Sequence, residues 1–65
     1  MLYYYIIDDV FVQPIEADYK EDAISELRLR FGDVDGGVVL TEAVFLRDYA
    51  GMGYKVLPVI KGLED

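Results

Sequence analysis

At 65 residues the chain has room for one domain, and a composition that is 54% hydrophobic with nine aromatic residues excludes an unfolded, charge-dominated segment. It has no cysteine and no histidine, which removes disulfide stapling and imidazole chemistry, and the single serine and single threonine leave little for nucleophilic catalysis. Thirteen carboxylates against six cations give a net charge of −7, which disfavours nucleic acid and anionic membrane as partners and favours basic protein surfaces.

Leu2 to Ile7 and Val10 to Ile15 are rich in β-forming residues and read as two strand segments. Asp8-Asp9 between them reads either as a tight hairpin turn or as a bulge in one long strand, since neither position is Gly or Asn. Pro14 points to a sheet edge, because it has no N–H to give to a ladder. Asp18 is the predicted N-cap of a helix, with Glu21 completing an Asp-x-x-Glu capping box, and the helix should run to about Phe31 with Gly32 as its C′ residue. Its apolar face would be Tyr19, Ala23, Leu27 and Phe31 with Ile24 alongside. Leu29 falls on the outer surface near Asp22, Ser25 and Glu26, as a solvated leucine or as an anchor for a partner.

Asp33 to Gly37 reads as a turn. Aligning Gly36 with the glycine of a calcium loop leaves Phe31 where an aspartate is needed, so no metal site is expected there. Val38 to Leu46 alternates as a third strand would, whereas a competing reading makes Glu42 to Ala50 a short helix capped by Thr41 and stopped by Gly51. Gly51-Met52-Gly53 then turns the chain into a last strand from Tyr54 to Ile60, where Pro58 again implies an edge. The sum is a single α+β domain over residues 1–65, one α-helix packed on a three- or four-stranded antiparallel sheet.

The expectation for chemistry is a non-enzyme with no cofactor and no metal. Ser25 lies mid-helix without a base, and a chain of this size offers paired carboxylates no cleft in which to hold a sugar. Tyr3, Tyr4 and Tyr5 lack the basic surroundings of a base-stacking surface, so they read as alternating between the core and a semi-exposed face. The opening apolar run has no basic flank and meets Asp8 and Asp9 too early for a signal peptide or a membrane span, which gives the expectation of a cytoplasmic protein.

The charge itself is the most pointed feature. Residues 1–26 hold seven carboxylates (Asp8, Asp9, Glu16, Asp18, Glu21, Asp22 and Glu26) against Lys20 alone. Asp18, Asp22 and Glu26 climb one side of the predicted helix in steps of about 6 Å, close to the repeat of phosphates along a nucleic-acid strand. Asp8, Asp9 and Glu16 extend that patch if the helix lies beside the first strands. Acids in a first turn are also favoured by the helix dipole, and Glu26 can pair with Arg30. The candidate partner-binding residues are therefore Asp8, Asp9, Glu16, Asp18, Asp22, Glu26 and Leu29.

In its length and charge, and in the helix opening Ala17-Asp-Tyr-Lys-Glu-Asp-Ala-Ile-Ser-Glu-Leu27, the chain resembles small acidic phage-encoded inhibitors, in particular anti-CRISPR proteins of the DNA-mimic type. The resemblance implies a non-enzymatic inhibitor, acting in the host bacterial cell, that blocks the DNA-binding or PAM-reading surface of a CRISPR surveillance complex. It carries over no residue role, because that group shares no motif. The alternatives are a small homodimeric interaction module joined through an edge strand and the tyrosines, or a phage regulator of a host enzyme such as RNA polymerase.

Overall fold

Strands β1 (Leu2–Ile7) and β2 (Phe11–Glu16) form an antiparallel hairpin in the computed structural model, which describes residues 1–61. Of the two readings of Asp8-Asp9, the turn is the one formed. Both residues adopt left-handed backbone, with φ of 54° and 58°, and the Val10 N–H donates to the Ile7 carbonyl at 3.0 Å, the geometry of a type I′ turn. Ile7 faces Phe11, so Val10 is an extra residue, and its carbonyl accepts from the Lys55 N–H at 2.9 Å.

Helix α1 (Lys20–Phe31) follows, then strand β3 (Val39–Thr41), helix α2 (Glu42–Asp48) and two short strands, β4 (Lys55–Val56) and β5 (Ile60–Lys61). The sheet order is β3-β1-β2-β4, with β5 also on β2. The class is α+β as expected, but there are two α-helices, and the sheet is mixed because β4 and β5 run parallel to β2. The strand reading of Val38 to Leu46 holds for Val39–Thr41 alone. At Thr41 the side-chain Oγ1 accepts from the Val44 N–H at 3.4 Å, and this cap turns the chain into α2.

Two further expectations are corrected by pairing geometry. Pro14 lies in a central strand, not at an edge. It sits opposite the interruption between β4, which pairs with Phe11 and Val12, and β5, which pairs with Ile15 and Glu16, so the ladder needs no N–H from it there. The α1 N-cap is Tyr19 instead of Asp18, with no side-chain cap bond; the Tyr19 carbonyl accepts from Asp22 and Ala23 at 3.1 Å each. Starting one residue later moves Glu21 out of the position a capping box requires. The end of the helix is as expected: Gly32, at φ 82°, donates its N–H to the Arg28 carbonyl at 3.0 Å.

One core lies between α1 and the sheet face that carries Tyr3, Ile15 and Val39, closed by Ala17, Ala23, Leu27 and Val34. Strand alternation sends Tyr4 to the other face, where its ring stacks on Phe45 of α2 at 4.3 Å between centroids and 12° between planes. The two helices therefore cover opposite faces of the sheet. The ends of the predicted α1 face fall outside the core. Tyr19 is 67% exposed, and Phe31 reaches across to the Tyr5 ring at 5.7 Å. Among the described residues no helix is long and apolar enough to cross a membrane.

Candidate functional site

The fold separates the acidic residues that the sequence groups together. Asp8 and Asp9 occupy the hairpin turn, while Glu16 closes β2 five residues beyond Phe11, about 17 Å along the strand at ~3.3 Å per residue. Asp18 and Asp22 share the Glu16 end, where Lys20 opens α1 and Lys61 lies in register with Glu16. Glu16 alternates with Ile15, which is buried under α1, so it points to the opposite side of the sheet from Asp18 and Asp22. Glu26 lies a turn further along α1 and is paired with Arg30 at 3.6 Å. Leu29 stands 81% exposed on the helix's outer side. Asp8, Asp9, Glu16, Asp18, Asp22 and Glu26 thus do not make the single continuous face expected of them. The hairpin sends its turn and its strand ends to opposite ends of the sheet.

The surface nevertheless remains strongly anionic. Residues 1–61 hold eleven carboxylates, the thirteen of the chain less Glu64 and Asp65, and among the described residues two are ion-paired, Glu26 with Arg30 and Asp48 with Arg47. The other nine, Asp8, Asp9, Glu16, Asp18 and Asp22 among them, have no cation within 4.0 Å among the described residues.

A second feature was not foreseen. A row of aromatic rings crosses the α2 side of the sheet, from Tyr4 through Phe45 to Tyr49 at 6.4 Å and on to Tyr54 at 6.4 Å. The row reaches the hairpin turn, where the Tyr54 hydroxyl donates to Asp9 Oδ1 at 3.2 Å. The i, i+4 spacing of Phe45 and Tyr49 was the available signal, legible only on the helical reading of Glu42 to Ala50.

Beside this row lies a cavity of about 330 Å³ lined by Ile6, Asp9, Gly37, Val38, Leu40 and Tyr49. Ile6 and Leu40 line it because they share the sheet face that Tyr4 shows to α2. Gly37 and Val38 arrive on a short 3-10 turn, Gly36–Val38, capped by Asp35, whose Oδ1 accepts from the Gly37 N–H at 2.9 Å. Desolvation, then the charge of Asp9 and its hydrogen bond, raise the Tyr54 hydroxyl above its ordinary pKa. Desolvation and the charge of Glu42 do the same to Tyr4. Among the described residues there is no group of three or more His, Cys, Asp or Glu placed to hold a metal. An exposed carboxylate against apolar and aromatic walls is an arrangement for receiving a cation.

No protein-family model, curated protein or solved structure matches the chain.

Proposed function

We propose that this chain is a non-enzymatic inhibitor that binds a basic surface of a nucleic-acid-binding protein. The nine carboxylates without a cation partner among the described residues support this reading most directly. A small globule with so little internal compensation attracts lysine- and arginine-rich grooves and repels polyanions. Asp8-Asp9 precede the Phe11 end of β2, Glu16 closes the strand about 17 Å further on, and Asp18 and Asp22 lie at that far end on the other side of the sheet, so the protein meets separate cationic points of its target instead of tracing one strand of phosphates. The DNA groove of a CRISPR surveillance complex is the target that the resemblance to anti-CRISPR proteins implies. Host RNA polymerase is the competing one.

Pull-down from host lysate names the target, and binding is then measured against salt. Affinity should fall steeply between about 50 and about 300 mM salt. Charge reversal at either end, Asp8→Lys with Asp9→Lys or Asp18→Lys with Asp22→Lys, should weaken binding. A flat salt response, or full inhibition by both variants, rejects the reading.

The homodimer reading has one observation in its favour, the exposed Val56 (67%) and Val59 (51%) along the β4–β5 edge. Of the tyrosines that this reading invokes, Tyr3 is in the core, while half-buried Tyr4 and Tyr5 pack against Phe45 and Phe31. Sedimentation as a monomer, independent of concentration, rejects it.

A further inference from the structure

We propose that the cavity beside Asp9 receives a single arginine side chain of the basic partner, an assignment that rests on the function proposed above. The cavity volume of about 330 Å³ lies at the bottom of the range of ligand sites, with room for one long side chain. Its walls divide by chemistry. Ile6, Val38 and Leu40 offer an apolar lining for the methylene stem, and Tyr49 adds an aromatic wall beside which a guanidinium packs.

Asp9 supplies the counter-charge. Its Oδ1 accepts the Tyr54 hydroxyl, which fixes the carboxylate at the rim, and among the described residues it has no cation partner. Arg47, on the helix that leads into Tyr49, is already committed to Asp48 at 2.9 Å. Arginine fits better than lysine because its fork of N–H donors bonds a carboxylate while its planar, weakly hydrated head packs against apolar and aromatic walls, two contacts that a compact, strongly hydrated ammonium does not make together.

The test titrates ¹⁵N-labelled protein with N-acetyl-arginine methylamide, with its citrulline analogue as an uncharged isostere, and with octa-arginine as a general polycation. The arginine amide should shift the backbone amides of Ile6, Gly37, Val38 and Leu40 saturably, and the citrulline analogue should not. Asp9→Asn, which still tolerates left-handed backbone and can still accept from Tyr54, should weaken the arginine amide at least about tenfold. Asp18→Asn should leave it unchanged, and Tyr49→Leu should weaken it as well. Equal binding of arginine and citrulline overturns the assignment. So does octa-arginine binding that Asp9→Asn and Asp18→Asn weaken equally, an outcome that leaves the proposed function standing. If octa-arginine shifts no resonance, the proposed function itself fails.

Discussion

Asp8 and Asp9 hold consecutive left-handed conformations that most L-residues avoid at a cost of roughly 1–2 kcal/mol each, and aspartate tolerates them better than most. Glycine has no such cost, although it adds freedom to the unfolded chain. Asp8→Gly is the clean test, because it leaves the Asp9 bond to Tyr54 in place. The expected outcome is a gain of about 0.5 kcal/mol, seen as a higher urea midpoint with an unchanged slope. A second residue-scale effect concerns alkali. Tyr4 and Tyr54 have raised hydroxyl pKa values, so the folded state holds their protons after the unfolded chain has released them. Their contribution to stability is complete below the ordinary value of 10.0 and is lost as pH rises through the higher folded values. Tyr54→Phe should therefore flatten the fall in stability above that pH, and phenolate absorbance should lose one of its late-titrating components.

At the scale of elements, what was legible in the sequence was whatever is written in local patterns. The two β-rich runs, the helix ending at Gly32 and the turn at Gly51-Met52-Gly53 announce themselves through residues whose backbone preferences are strong. The parallel return of β4 and β5 was not legible, because its specification is a tertiary hydrogen bond. Gln13 is 4% exposed, and its Nε2 donates both to the Pro14 carbonyl at 2.8 Å and to the Pro58 carbonyl at 2.7 Å, fastening the last segment to β2 where the two prolines interrupt the ladder. Two carbonyl partners require a donor at that atom. Gln13→Glu replaces it with a carboxylate that has only acceptors, and should cost about 2–3 kcal/mol at neutral pH. A protonated carboxyl donates again, so the folded pKa of the introduced side chain would be raised. The variant should recover stability relative to the parent as pH falls through that value, readable from chemical denaturation at several pH values.

For the whole molecule, the total charge was legible and its distribution was not. Asp9 and Glu16 are seven positions apart in sequence, yet the hairpin carries them to opposite ends of a sheet in a molecule of 34 × 22 × 21 Å. The aromatic row and its cavity are not legible in the sequence for a related reason, since Asp9, Leu40 and Tyr49 meet through β pairing and a helix that local pattern alone does not distinguish from a strand. What the total charge does fix is the response to ions. Nine carboxylates without a cation within 4.0 Å among the described residues repel one another more when the chain is compact than when it is unfolded. Added sodium chloride screens that repulsion over about 8–10 Å at moderate ionic strength, so the melting temperature should rise between about 20 and about 300 mM salt. The attraction to a basic partner is screened by the same ions, and its affinity should fall over the same range. Folding and binding thus have opposite signs in one titration, which separates loss of the partner from loss of the fold. A melting temperature that falls as salt is added would mean that attraction outweighs repulsion inside the globule, and the field invoked to draw in a partner would then be largely spent internally.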